Sequence, residues 1–492
     1  MVTPIYPALY QVNTRVWLQA LSRQLGRVAT LDDIPNSALD EIVSLGFDWA
    51  YFLGVWQTGA VGPKISRSRP EWLDEYRKLL PDLTDEDICG SCFAIQEYRV
   101  SDRLGGNSAM ERLRDRLHQR GLKLMLDFVP NHMAPDHGWV QTHPEYFVQG
   151  TEELLTQEPQ NYCQVTLPTG NVIFAYGRDP YFDGWPDTLQ LNYGNPSLQA
   201  AMVEELLVIA QFCDGVRCDM AMLILPDVFQ RTWGITITPF WPSAIPKIRS
   251  LHPGFTFMAE VYWDLEWTLQ QQGFNYTYDK RLYDRLREQH AVAVGEHFRA
   301  TLEYQQRSAR FLENHDEPRA AATLPADVHR AAAVLTFLCP GLRFFHQGQL
   351  DGYQKKISVH LQRGPEEPPD SELHRFYRDL LTCLRLPVVR EGIWHLLNCT
   401  PAWDGNWSWN ALIGFSWEHP DGTRLLIMVN YAPHTSQCYV TLPYPDLAGK
   451  NYLLKDLMSP ITYERSGDNL ISGLYFELPG WGYHVFELQV CP

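Results

Sequence analysis

The feature that most constrains this chain is a sustained alternation of short apolar runs with amphipathic stretches of helical length. "SALDEIVSLGF" places Leu39, Ile42 and Val43 on one helical face, with Gly46 as the stop. "DWAYFLGVW" (48–56) follows as a buried strand. "MERLRDRLHQRG" repeats the pattern with Met110, Leu113 and Leu117 and ends at Gly121, after which "LKLMLDFVPNH" reads as a strand. "NPSLQAAMVEELLVIAQFC" is a capped helix that feeds directly into "GVRCDMAML" (215–223), and "FTFMAEVYW", "ARFLENHD" and "GLRFFHQGQ" are further short apolar runs with polar ends. Strand–helix alternation kept up over roughly 350 residues implies a parallel sheet covered by helices, and this many repeats fit a closed (β/α)8 barrel better than an open sheet.

Two regions break the alternation. From His132 to about Leu189 the chain is loop-like, too long for an ordinary βα connection, and reads as a small domain (132–189) inserted after the third strand. Beyond residue 396 the helical signal gives way to strands separated by Pro, Gly and Asp turns, which predicts a C-terminal all-β domain, a sandwich over 396–492. The barrel is then expected over 1–131 and 190–395, giving an α/β fold with two appended units.

In a barrel the C-terminal strand ends converge on one cavity, and four of these ends carry carboxylates: Asp127, Asp219, Glu260 and Asp316. On "GVRCDMAML" strand alternation puts Arg217 and Asp219 on one face. Two charges in an apolar strand cost several kcal/mol per ion unless geometry compensates. Hydrolysis of a glycoside supplies a reason for such a pair. One carboxylate must stay ionised as nucleophile while a second, with a raised pKa, acts as acid and base. A neighbouring arginine favours the ionised form.

The four segments resemble, in order, the motifs of the α-amylase family of retaining glycosidases. "LDFVPNH" (126–132) is similar to D-x-V-x-N-H, "GVRCDMA" to G-x-R-x-D-x-A, "FMAEVY" to the segment of the acid/base glutamate, and "ENHD" (313–316) to N-H-D. The resemblance implies Asp219 as nucleophile, Glu260 as general acid/base and Asp316 as the third carboxylate, gripping the 2- and 3-hydroxyls of the sugar. It implies Arg217, His132 and His315 as hydrogen-bond donors around the attacked sugar, and Asp127 as a structural carboxylate beneath it. "GSCFAI" (90–95) resembles the loop that lays an aromatic platform under that sugar; here the platform is Phe93, without the usual tyrosine hydroxyl. Trp139 and Trp185 are candidates for outer sugar subsites, although packing within the inserted segment is their more ordinary role.

The resemblance also raises calcium, since Asn131 matches a calcium ligand of many members. Gln190 and Asn192 stand where an aspartate ligand is common, so Asn131 is the one metal candidate and no cofactor is required. Met222 and Leu223 replace Lys and His that help build the acceptor side.

Composition narrows the partners. A net charge of -17 argues against nucleic acid or an anionic membrane as partner, and no stretch approaches the roughly eighteen apolar residues of a spanning helix. The 16 Trp and 24 Tyr suit a carbohydrate cleft as well as large cores. The N-terminal segment lacks the pattern of a secretory signal, and ten scattered cysteines fit reduced thiols, so a cytoplasmic enzyme is expected. "CGSC" (89–92) has neither a second pair nor a preceding strand to make it a redox motif. The expected activity is hydrolysis of α-1,4 bonds in starch, glycogen or maltooligosaccharides. The alternative is a transglycosylase or sugar isomerase of the same family.

Overall fold

The computed structural model describes residues 4–491; residues 1–3 and 492 of the expected domains lie outside it. Eight strands close a barrel: β1 (Ala8–Asn13), β2 (Trp49–Leu53), β3 (Lys123–Phe128), β4 (Gly215–Cys218), β5 (Thr256–Ala259), β6 (Tyr276–Tyr278), β7 (Ser308–Arg310) and β8 (Leu342–His346). Each runs parallel to the next, and β8 pairs with β1. Strands buried on both faces read as continuous apolar runs; all five residues of β2 are buried.

The helices follow their sequence signals. Helix Pro196–Ile209 starts with Asn195 accepting from the Ser197 amide and with proline at its first position, and it buries Leu198, Met202, Leu206 and Ile209. Helix Gly106–His118 buries Met110, Leu113 and Leu117, and Gly121 beyond it has a φ of 82°. Helix Asn36–Ser44 buries Leu39 and Ile42, but Val43, expected on that face, is exposed.

Four excursions interrupt the barrel, where the sequence showed two. The expected insertion after β3 contains a hairpin (Tyr162–Leu167 with Gly170–Ala175) and is clipped to the barrel by His132–Met133 pairing antiparallel with Leu189–Gln190. A second, unforeseen excursion follows β2: strand Trp56–Thr58, helices Val61–Ser68 and Pro70–Leu79, then strand Ile95–Val100, which pairs antiparallel with the first. A third, between β8 and helix Ser371–Leu384, is a strap without regular structure.

The fourth is the C-terminal region. A six-stranded antiparallel sheet (in order 393–396, 412–418, 424–430, 483–490, 451–456, 462–466) faces a three-stranded one (399–400, 436–440, 474–478). Met428, Cys438, Phe476 and Phe486 belong to the cluster between them. Its first strand begins at Ile393, three residues ahead of the expected boundary, and it includes one helix, Gly467–Ser472. Trp417 donates its indole N–H to the Leu338 carbonyl (2.8 Å), and Tyr431 its hydroxyl to that of Leu286 (2.7 Å), fixing the sandwich to the barrel's outer helices. All ten cysteines are unpaired. Among the described residues no helix is long and apolar enough to cross a membrane.

Candidate active site

Backbone hydrogen bonds run past the strand ends and set the site. The Asp219 amide donates to Phe128 O (2.8 Å), the Glu260 amide to Cys218 O (3.0 Å) and the Ala221 amide to Glu260 O (3.0 Å). The two carboxylates therefore sit on adjacent strands at the same level. Asp316 lies six residues beyond β7, in a loop shaped by Asn314, whose Oδ1 accepts from the amides of Asp316 (2.8 Å) and Glu317 (2.9 Å). The cleft, of about 370 Å³, is lined by Phe93, His132, Asp219, Glu260 and Asp316 among others.

Arg217, fully buried, holds this group together. Its Nη1 donates to Asp219 Oδ1 (2.5 Å) and its Nη2 to Glu260 Oε2 (2.7 Å), with Asp316 Oδ2 3.5 Å away. Its Nε donates to the Tyr278 hydroxyl (3.3 Å). The guanidinium carbon lies 5.1 Å from the centre of the Phe93 ring and 5.8 Å from that of Tyr278. Phe93 thus packs against the cation and, at 5.4 Å, against His315.

Arg217 favours the ionised form of Asp219, as expected, but does not cancel the cost of burial. Burial pushes Asp219 up, Arg217 pulls it down and Asp316 pushes it up again, and the outcome is a pKa raised to about 6. One arginine divided among three carboxylates does not offset the loss of water. Glu260 is raised further, to about 7, by burial against the pull of Arg217 and with the push of Asp219. Burial also pushes Asp316 up, but His315 (Nε2 2.8 Å from Oδ2) and Arg217 outweigh it, and its carboxyl is held well below the usual range. The three carboxylates are therefore ordered, with Glu260 the most readily protonated.

Glu260 also takes the Met220 amide on Oε2 (2.7 Å) and the Tyr262 hydroxyl on Oε1 (2.7 Å). Met220 has a φ of 41°, a left-handed conformation that costs a side-chain-bearing residue about 1–2 kcal/mol; the turn aims its amide at the acid. Tyr262 was missed in the sequence although it stands two residues past Glu260, the spacing that shares a strand face. His315 is oriented by Gln11, whose Nε2 is 2.9 Å from Nδ1. His132 is buried and pushed down to about 3 by burial, so it is neutral.

Asp127 lies beneath the cleft. It accepts from the Tyr51 hydroxyl (2.5 Å) and the Gly54 amide (2.7 Å), tying β2 to β3 as a structural carboxylate should. Trp185 lines the cleft, edge-on to His132 at 5.2 Å. Trp139 packs on His137 and Tyr146 instead. Met222 and Leu223, read as an altered acceptor side, are core residues of a 3-10 turn; the cleft is lined by Met220.

The one residue nominated as a calcium ligand is engaged with another side chain. Asn131 Oδ1 accepts from Gln190 Nε2 (3.0 Å) and its Nδ2 donates to Gln190 Oε1 (3.1 Å), a reciprocal amide pair that uses the one nominated ligand. Among the described residues no three His, Cys, Asp or Glu side chains cluster as metal ligands.

Residues 91–375 match the family described as "Alpha amylase, catalytic domain". The chain is 22% identical over 288 residues to alpha-amylase 3 of Dictyoglomus thermophilum, covering 52% of each protein. It is 26% identical over 273 residues to an alpha-1,4-glucan:maltose-1-phosphate maltosyltransferase of Cereibacter sphaeroides, covering 53% of this chain and 38% of the other. The chain thus spans about half or less of the length of these curated relatives. In fold it is similar to the crystal structure of a maltogenic alpha-amylase from Thermotoga neapolitana, with a TM-score of 0.70 at 17% identity and 99% of both chains covered.

Proposed function

The chain belongs to the α-amylase family of glycoside hydrolases, and from that membership we propose that it hydrolyses α-1,4-glucosidic bonds in α-glucans or maltooligosaccharides with retention of configuration. The observation that carries this reading is the sharing of Arg217 between Asp219 and Glu260. One guanidinium spanning both groups suits the close pairing of a retaining enzyme, about 5–5.5 Å, rather than the wider gap that holds a water.

Glu260, protonated, gives its proton to the glycosidic oxygen as the bond from that oxygen to the anomeric carbon breaks. Asp219 attacks the anomeric carbon from the other face and forms a glycosyl ester. Glu260, now a base, takes a proton from water, which attacks the ester and frees Asp219. Two inversions leave the anomer unchanged. Asp316, held ionised, accepts from ring hydroxyls, and Phe93 supplies an apolar face. Asp219 charged with Glu260 protonated is the pair this chemistry needs, and it is most populated between about pH 6 and 7. Ten unpaired cysteines support a reducing compartment, the cytoplasm.

The test is NMR of the first product released from maltotetraose, alongside Asp219→Ala. Initial release of the α-anomer and loss of turnover in the variant are expected; initial β-product or full activity of the variant would refute the assignment. The likeness to a maltosyltransferase favours a second reading, transfer to a sugar hydroxyl. Longer oligosaccharides as the main product would establish it in place of hydrolysis.

A further inference from the structure

Asp187 and His360 lie outside every motif above, yet both line the cleft. Asp187 belongs to the return of the inserted segment, just before the short strand Leu189–Gln190. It is 3% exposed, and its Oδ2 has no hydrogen-bond partner. A buried carboxylate oxygen without a donor is costly. His360 Nε2 is the nearest candidate at 3.7 Å, beyond hydrogen-bonding reach.

His360 is held firmly. Its carbonyl accepts from the amides of Cys89 (2.8 Å) and Gly90 (3.2 Å), and Leu361 bridges to Ile88. Arg363 then forks onto Asp87 (2.6 and 2.7 Å) and onto Asp82 (2.9 and 3.0 Å), so the strap is stapled to the excursion after β2. The imidazole stacks on Trp72 at 4.6 Å and 15°, and the Tyr76 hydroxyl is 2.7 Å from Nδ1. In the tautomer in which the phenol donates to Nδ1, the ring proton is on Nε2, the nitrogen nearer Asp187.

Barrel topology gives this wall its direction. Glu260 follows β5, whereas Trp72 and His360 come from the connections after β2 and β8, the two strands that flank β1. In an eight-stranded barrel β1 is diametrically opposite β5. Trp72 and His360 therefore rise from the side of the barrel mouth opposite Glu260 and its leaving group, and Asp187 reaches them from the insertion after β3. In a hexopyranose seated with its anomeric carbon at Asp219, the atom across the ring is C4.

We infer that Asp187 and His360 close the glycone side of the cleft after a single sugar and select the free 4-hydroxyl of a non-reducing end, so that the enzyme removes terminal glucose units. A terminal 4-hydroxyl donates to Asp187 and accepts from the His360 N–H, completing both. In an internal glucan unit the same oxygen is an ether with no proton, and it would face a buried carboxylate with nothing to offer. Trp72, stacked on His360, lines the same cleft and extends this wall. The inference rests on the proposed α-glucosidic hydrolysis and assigns its substrate end.

The experiment compares maltoheptaose with its 4,6-O-ethylidene derivative blocked at the non-reducing end, products being separated by chromatography. Glucose release from the free oligosaccharide, with the blocked one cleaved at least 100-fold more slowly, is expected. Cleavage of both at similar rates overturns the inference while leaving hydrolysis intact. Cleavage of neither overturns the functional reading and this inference with it.

A second measurement uses p-nitrophenyl α-glucoside and its 4-deoxy analogue. Wild type is expected to lose about 10- to 100-fold in kcat/KM on the deoxy substrate, the range for a hydrogen bond to a charged group. Asp187→Asn is expected to lose a similar factor on the parent glucoside and little more on removal of the hydroxyl. The ratio is read within one protein, so partial misfolding does not mimic it. An undiminished deoxy penalty in the variant would overturn the role of Asp187.

Discussion

Replacing Glu260 by glutamine should stabilise the folded protein at pH 8 while disabling it. The carboxyl rises from an ordinary 4.5 to about 7 because burial outweighs Arg217. At about 1.4 kcal/mol per unit, that shift is roughly 3 kcal/mol taken singly. For an acid whose folded pKa is raised, the associated stability is fully present below the unfolded value and is lost as pH rises through the folded one. The wild type should therefore lose this contribution between about pH 4.5 and 7, and the variant should not. The new amide can keep its contacts: its oxygen accepts from Arg217 and the Met220 amide, and its NH2 donates to Tyr262, whose hydroxyl can turn to accept. Urea unfolding should show Glu260→Gln more stable by about 2–3 kcal/mol at pH 8 and within about 1 kcal/mol of wild type at pH 4. Turnover of maltose should fall by about 10²–10⁴, the range for a lost general acid. An equal stability change at both pH values, or destabilisation at pH 8, would refute the dominance of burial over ion pairing.

The pH profile of kcat/KM should be bell-shaped with limbs near 6 and 7, and Arg217→Lys should move the lower limb upward, because a single ammonium cannot span Asp219 and Glu260; an unmoved limb would count against the shared arginine. Phe93→Ala should lower kcat/KM about 2- to 30-fold, matching a lost cation–π contact of about 0.5–2 kcal/mol, with near-wild-type far-UV circular dichroism. Gln190→Ala should cost about 1–3 kcal/mol by leaving the buried Asn131 amide unpaired. In the wild type EDTA and added calcium should both leave Tm unchanged, and a rise with calcium would show that the amide pair opens for a metal.

Much of the catalytic centre was legible locally. Asp127, Asp219, Glu260 and Asp316 stand out because strand, turn and carboxylate recur within a few residues at the ends of apolar runs, while the family resemblance divides them into three cleft carboxylates and one structural one. Phe93 and His132 entered through resemblance and do meet at the same cleft. Met222 and Leu223 were misread because the chain turns at Met220: its left-handed backbone ends the strand, and the next side chains enter the core. Trp185 and Trp139 look alike in sequence, and only the path of the inserted segment sends one to the cleft and the other into packing.

By itself the sequence indicated the barrel and six of its eight strands in order, since periodicity is a short-range property; strands β1 and β6 carry too little pattern to be read, and the three carboxylates were singled out by the family resemblance. The tertiary structure decided how those carboxylates divide one arginine, and hence that burial raises two of them while His315 and Arg217 hold the third down. It also decided what closes the cleft. Asp187, Trp72 and His360 are more than a hundred residues apart at their nearest, and no local pattern links them. They meet because loops after different strands of a closed barrel converge on one mouth.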